Sequence, residues 1–243
     1  MRTVQGKIAL VTGAGQGIGR GVAELLAERG AEVVLVARTA SALEEVAAGI
    51  RTKGGKATVI PGDLTDDAFI EALFRQVADT FGRLDILVNN AGIAYGGPVD
   101  ELDADVFRSV MELNVTAAFK CMQGAIRLMK SAGNAGKIIN ISSICGHWIT
   151  FGGSGVYHAS KFALRAMTEA VAKQMKHDGV NIAVGIVSPG NTDTPLMNPN
   201  GEPRPDWLHS EDVAEAVFHA VTAPDHITVF ETILMPIRQD CFY

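Results

Sequence analysis

Cysteine is scarce in this chain of 243 residues: Cys121, Cys145 and Cys241 are the only three, and none has metal-ligand spacing. So few thiols exclude a disulfide scaffold, and free thiols in a reducing cytoplasm are the expectation. No metal site is expected either. There is no apolar run near the ~20 residues a membrane-spanning helix requires. The first strand-like run starts at Lys7, which leaves no length before it for a secretory leader. Basic clusters are also missing, and the net charge is −6, which argues against nucleic acid as a main partner. Internal repeats, low-complexity tracts and linkers are absent. The expectation is therefore one domain over residues 1–243. With 47% hydrophobic and 20% charged residues, it has enough apolar material for a substantial core.

What is present alternates. Short apolar runs that read as strands lie at 7–12, 32–37, 57–61, 84–89, 137–142, 181–187 and 228–234. Helical stretches fall between them, at 40–52, 66–81, 103–129, 156–177 and 211–221, besides the one that follows the first strand. This order predicts an α/β fold of the Rossmann-type doubly wound kind, a parallel sheet of about seven strands with helices on both faces. The longest irregular stretch is 191–209, rich in Pro, Asn and Gly, and loops of that length in compact domains tend to be functional.

Two local patterns carry chemistry. The first strand ends in Thr12-Gly-Ala-Gly-Gln-Gly-Ile-Gly19 and leads into a helix, the context in which a glycine-rich turn binds a dinucleotide. Gly13 makes the tight turn, Gly17 lets the backbone approach a pyrophosphate, and Gly19 allows close packing of the helix whose N-terminus faces the phosphates. The second pattern is Tyr157 and Lys161, four apart and so on one helix face. A cation beside a phenol favours the phenolate and lowers a pKa that is ordinarily near ~10, giving an acid/base suited to an alcohol oxygen.

Together with Gly62-Asp-Leu64, Asn89-Asn-Ala-Gly92, Asn114, Ile139-Asn-Ile-Ser-Ser143 and Ser188-Pro-Gly190 followed by Thr192 and Thr194, these patterns resemble the short-chain dehydrogenase/reductase family. The resemblance runs from Gly6 to about Pro236. It implies a catalytic set in which Ser143 holds a carbonyl oxygen and Tyr157 exchanges its proton. Lys161 lowers the phenol's pKa and binds ribose, and Asn114 holds a water in a proton relay. It also implies a cofactor site of Gly13, Gln16, Gly17, Ile18, Gly19, Arg38, Thr39, Asp63, Leu64, Asn90, Ala91, Gly92, Tyr157, Lys161, Pro189, Gly190, Thr192 and Thr194. Within it Asp63 caps the adenine amino group and the segment from Pro189 meets the carboxamide. Asn89 is expected to tie adjacent strands, and the stretch 191–209 takes the place of a substrate lid. Ser143 stands fourteen residues before Tyr157 and Ser142 fifteen, against about thirteen in relatives. The second serine of the pair is the expected one, with the extra residue absorbed between Gly146 and Gly155.

The cofactor follows from the end of the second strand. Where NAD users in the family carry Asp there is Ala37, and Arg38 follows with Thr39. A guanidinium binds a 2′-phosphate bidentately, so NADP(H) is favoured over NAD(H). Gln16 stands where some NADP users place a second cation. Substrate residues are expected among Tyr95, Cys145, His147, Trp148, Met197 and Trp207, although a lone loop His is more often uninvolved. The tail from Pro224 to Pro236 resembles the branch of serine and 3-hydroxy acid dehydrogenases and carbonyl reductases. The expected reaction is hydride transfer with a secondary alcohol or ketone, a 3-hydroxy acid or small carbonyl compound among them. The alternatives are a 3-oxoacyl thioester reductase and a non-catalytic NADP-sensing or scaffold protein. A homodimer or homotetramer through the helices at 103–129 and 156–177 is also implied. Ala117, Ala118, Ala170 and Ala172 either allow close packing there or face the sheet.

Overall fold

The computed structural model describes residues 3–153 and 155–239, so Cys241 lies outside the described residues. Its centre is a fully parallel seven-stranded sheet of β1 (Ile8–Thr12), β2 (Glu32–Ala37), β3 (Lys56–Pro61), β4 (Ile86–Asn89), β5 (Ala135–Ile141), β6 (Asn181–Pro189) and β7 (Glu231–Leu234), in the order β3-β2-β1-β4-β5-β6-β7. The central strands are apolar without interruption because alternate side chains enter opposite cores. Ala9, Val11, Val33 and Leu35 pack with helices α1 (Gly17–Glu28), α2 (Ala40–Thr52) and α7 (Ser210–Val221) on one face. Leu10, Val34, Val36 and Leu87 pack on the other, against α3 (Asp67–Phe81), α5 (Ala118–Ser131) and α6 (Val156–His177). The remaining helix, α4 (Ala104–Met111), precedes α5.

Helices α2 and α6 have the bounds expected from sequence, and Asp66 caps α3 through its carboxylate. Two expectations change. The single helix over 103–129 is broken: a π-helical turn, Glu112–Ala117, separates α4 from α5. Such turns insert a residue into the helical ladder and re-aim a side chain. Here Asn114 lies in the turn, buried, and reaches across to the backbone of Ile93. The last strand begins at Glu231 rather than Thr228. Ahead of it the chain crosses so close to Gly185 that a side chain there would meet the Val229 carbonyl at 2.4 Å, and Ile186 N–H donates to the Phe230 carbonyl.

Ala117 and Ala118 are buried in the core and Ala172 packs against it, whereas Ala170 is exposed. Cys121 and Cys145 are free and buried, and burial pushes the Cys121 thiol up to about 12. No described helix is long and apolar enough to cross a membrane.

Two buried asparagines tie the middle of the sheet. Asn89 and Asn140 are opposite each other on β4 and β5, and Asn89 Nδ2 donates to Asn140 Oδ1 at 2.9 Å and to the Ala118 carbonyl at 3.1 Å. Asn140 Nδ2 in turn donates to Thr168 Oγ1 on α6 at 2.8 Å. Removing one member leaves buried polar groups unpaired. Asn140→Ala is expected to destabilise the fold by roughly 2–4 kcal/mol, read from the shift of the urea unfolding midpoint at constant slope.

Candidate active site

The strand order reverses between β1 and β4, and in open α/β sheets the crevice beyond the carboxyl ends of such strands is where ligands bind. The turns after β1 and β4 are locked together there. Thr12 Oγ1 accepts from Asn90 N–H and Ala91 N–H, both at 3.0 Å, and donates to the Val88 carbonyl at 3.4 Å. Asn90 Nδ2 donates back to the carbonyls of Thr12 and Gly13 at 3.0 and 3.2 Å. Gly19 is obligatory under this clamp, because a Cβ on it would lie 2.3 Å from the Gly13 carbonyl oxygen. Gly17 has φ 54°, a conformation that glycine adopts without strain. At the start of α1 the N-cap Gln16 makes no side-chain capping bond and the first turn holds no acidic residue. Its free N–H groups therefore carry the helix's partial positive charge.

A cleft of about 910 Å³ opens on this turn. Its walls include Gly13, Gln16, Gly17, Ile18, Arg38, Thr39, Asp63, Leu64, Asn90, Ala91, Gly92 and Thr194. Arg38 is exposed and makes no hydrogen bond or ion pair with the described residues. Asp63 Oδ1 accepts from the Thr65 amide at 2.9 Å and the Thr65 hydroxyl at 2.8 Å. These bonds hold its carboxyl below the ordinary value, the amide first, with Arg38 adding a smaller pull and partial burial opposing. Gly19 backs the turn, and Pro189, Gly190 and Thr192 border the adjoining cavity instead.

That second cavity, about 500 Å³, shares Ile18, Asn90, Gly92, Thr194 and Leu196 with the first. Ser143, Tyr157 and Lys161 lie on its wall. The Ser143 hydroxyl accepts from Cys145 N–H at 3.1 Å and lies near the Tyr157 phenol, whose pKa it pulls down, whereas Ser142 Oγ turns to the Lys161 carbonyl at 3.5 Å. A 3₁₀ turn, Ile144–Gly146, takes up the chain directly after the pair. Lys161 is buried; its Nζ lies 5.5 Å from the Tyr157 ring centroid and donates to the Ile141 carbonyl at 3.0 Å. Burial pushes this ammonium down to about 8.

Spacing alone led to the expectation of a lowered phenol pKa, and the geometry corrects it. Burial raises Tyr157, Cys145 adds to the rise, and the Ser143 bond offsets only part of it. The ammonium, 5.5 Å from the ring centroid, does not outweigh this desolvation. Asn114 is tied into the same corner by its side chain. Its Oδ1 accepts from Ile93 N–H at 2.9 Å, and Nδ2 donates to the Ile93 carbonyl at 2.9 Å and to Ser160 Oγ at 3.1 Å. Both amide protons are committed, so what Asn114 holds directly is the Gly92–Ile93 turn and α6.

Of the expected substrate residues, Tyr95, Cys145 and Met197 line the cavity. His147, Trp148 and Trp207 do not. His147 points between β6 and β7, 3.2 Å from Ser188 Oγ and 3.1 Å from Glu231 Oε1. Burial lowers its pKa, Glu231 raises it and Arg165 lowers it again. Trp148 packs on Ile144 and Cys145, and Trp207 lies under the Arg204 guanidinium at 5.1 Å. Residues that sequence reading missed include Thr150, Phe151, Leu196, Arg238 and Gln239. The last two sit beyond Pro236, where the family resemblance stops. The stretch 191–209 is irregular as expected and closed at its base, with Leu208 N–H donating to the Asn191 carbonyl at 2.9 Å and Asp193 N–H to the Leu208 carbonyl at 2.8 Å. Among the described residues no three His, Cys, Asp or Glu side chains gather as a metal site requires.

The family model for short chain dehydrogenases matches residues 7–205. An uncharacterized oxidoreductase of Staphylococcus aureus (strain MW2) is 35% identical over 240 residues, covering 98% of this chain and all of the relative. A short-chain type dehydrogenase/reductase from Mycobacterium marinum has a crystal structure with a TM-score of 0.90 at 31% identity, over 96% of each chain. A short chain dehydrogenase from Burkholderia cenocepacia J2315, solved in complex with NADP, gives a TM-score of 0.87 at 33% identity, over 97% of this chain and 98% of that one.

The buried lysine has a measurable signature. Its folded-state pKa of about 8 lies below the ordinary 10.5, so between those values the folded chain holds fewer protons than the unfolded one. Stability from this group therefore rises as pH climbs from about 8 to 10.5, and below 8 that gain is absent. Lys161→Met removes the rise. Urea unfolding across this pH range is expected to show the wild type gaining on the variant by up to about 3 kcal/mol.

Proposed function

The chain belongs to the short-chain dehydrogenase/reductase family of oxidoreductases, and on that premise we propose that it transfers hydride between NADP(H) and a secondary alcohol or ketone. The observation that carries this reading is the convergence of Ser143, Tyr157 and buried Lys161 on one cavity wall, in a cavity continuous with the glycine-turn cleft. A buried polar trio of this kind costs stability and serves no core; it serves proton transfer to an oxygen.

The cleft fits a dinucleotide. The uncapped amides of α1 and the close backbone at Gly17 and Gly19 suit a pyrophosphate. Arg38, exposed and in no ion pair among the described residues, and Ala37 in place of a carboxylate suit a 2′-phosphate, as does the relative crystallised with NADP. Asp63 keeps Oδ2 available for an amino group, since Thr65 occupies Oδ1. Pro189, Gly190, Thr192 and Thr194 border the inner cavity, where a carboxamide would be held. When bound, the nicotinamide supplies hydride to a carbonyl carbon or takes it from an alcohol carbon.

The protein's own part is the oxygen. Ser143, anchored by Cys145 N–H, donates to the substrate oxygen and aligns it with Tyr157. Tyr157 gives up its phenol proton in reduction and recovers it in oxidation. The phenolate so formed is the state that the neighbouring Lys161 ammonium favours, against the burial that keeps the phenol protonated at rest. Asn114 keeps the Gly92–Ile93 turn and α6 in register, a positioning part. Residues 1–243 act as one unit, with 191–209 as the lid that brings Leu196 and Met197 over the cavity.

Two outcomes test the proposal. Tyr157→Phe is expected to lose roughly 10²–10⁴-fold in kcat over a panel of ketones while retaining NADPH binding. Arg38→Gln is expected to weaken NADPH binding about ten- to hundredfold and leave NADH binding unchanged, measured by nucleotide fluorescence titration. A wild type that binds NADPH yet reduces no member of the panel would favour the sensing protein over the enzyme.

A further inference from the structure

Neither the glycine turn nor the Ser-Tyr-Lys trio says what sits at the far side of the inner cavity. Its wall there is mainly apolar, from Ala94, Tyr95, Ile144, Phe151, Leu196 and Met197. No acidic side chain lines it among the described residues, and its two charged groups are both cations, Lys161 on α6 and Arg238 in the turn after β7. Such a cavity disfavours cationic ligands and attracts anions.

The position of Arg238 is built. Gly190 N–H donates to the Leu234 carbonyl at 2.7 Å, Gln239 N–H to the Pro236 carbonyl at 3.0 Å, and Gln239 Oε1 accepts from Asn191 N–H at 2.7 Å. Gly190 leaves the room for this clasp, since a Cβ there would lie 2.2 Å from Gln239 Oε1. The turn is thereby pinned over the start of the lid, with Arg238 at the cavity wall. Its partner is Asp206 of the lid, whose two carboxylate oxygens are both 3.4 Å from Nη1. Both side chains are largely exposed, so the pair is weak and readily exchanged. Asp206 engages Nη1 alone, so a carboxylate arriving from the cavity side gains the bidentate pairing that this contact lacks.

We propose that Arg238 is a specificity residue for the carboxylate of the substrate, which makes the substrate an oxo or hydroxy acid with a short apolar body, and that Asp206 is the internal competitor it displaces. This rests on the oxidoreductase reading, but its test does not need turnover. Calorimetric titration with hexanoate and its neutral counterpart hexanamide, on the free protein and with excess NADP⁺, compares wild type, Arg238→Gln and Asp206→Asn. Hexanoate is expected to bind at least tenfold more tightly than hexanamide. Arg238→Gln abolishes the difference, and Asp206→Asn tightens hexanoate several-fold. Equal binding of the two probes by wild type, or discrimination that survives Arg238→Gln, overturns the proposal. Discrimination without any reduction of 3-oxohexanoate by NADPH sustains the carboxylate site while counting against the reductase reading.

Discussion

The hydroxyl of Thr12 uses its one proton and both lone pairs to fasten the ends of β1 and β4, and the functional architecture depends on that clamp. At this pair of strands the chain's winding changes direction, and diverging connections leave a crevice that a slack turn would let close. With Asn90 returning two bonds to the β1 turn, the glycines hold one conformation and the first turn of α1 is aimed along the crevice. The requirement for glycine at 19 is a consequence of the clamp, since the backbone it crosses cannot move away.

The same economy of buried polar groups recurs deeper in. Asn89, Asn140 and Thr168 connect β4, β5 and α6. Asn114, Ile93 and Ser160 connect the π turn, the β4 turn and α6. Helix α6 thus hangs from two polar networks, one at Ser160 between Tyr157 and Lys161 and one at Thr168 beyond them. Within an apolar core such networks specify one arrangement, because any alternative packing leaves amides unpaired. The proton exchange proposed for the phenol tolerates little displacement, and this rigidity supplies the positional accuracy.

Much of this was legible in the sequence because it depends on local rules. Period-two burial on both faces makes a central strand such as Val33–Val36 a continuous apolar run, and α2 and α6 follow from helical periodicity. The glycine turn and the i,i+4 pair are readable because each sits within one element or one turn. The boundary of β7 was not, since close passage of Val229 over Gly185 is a contact between distant segments. Nor was the π turn: Glu112–Ala117 has an ordinary helical composition, and the break serves a bond to Ile93, which lies 21 residues away. The candidate substrate residues divide in the same way. His147 and Trp148 follow Ser143 directly, but the 3₁₀ turn rotates them toward Glu231 and the Ile144 cluster, and residues 238 and 239 arrive from the opposite end of the chain.

By itself the sequence determined most of the elements, the class of fold, the glycine turn and the Tyr157–Lys161 pairing on one helix face, because those rest on periodicity and short spacings, while Ser143 was singled out by the family resemblance. Tertiary structure alone decided the charge behaviour of that trio and the wall of its cavity. A pKa depends on desolvation, which no spacing records: burial raises Tyr157 and lowers Lys161 to about 8, against the simple expectation of a cation helping a phenol. A cavity wall depends on which distant backbones converge, and here a loop near residue 95, the stretch 191–209 and the turn after β7 meet only once the sheet has formed.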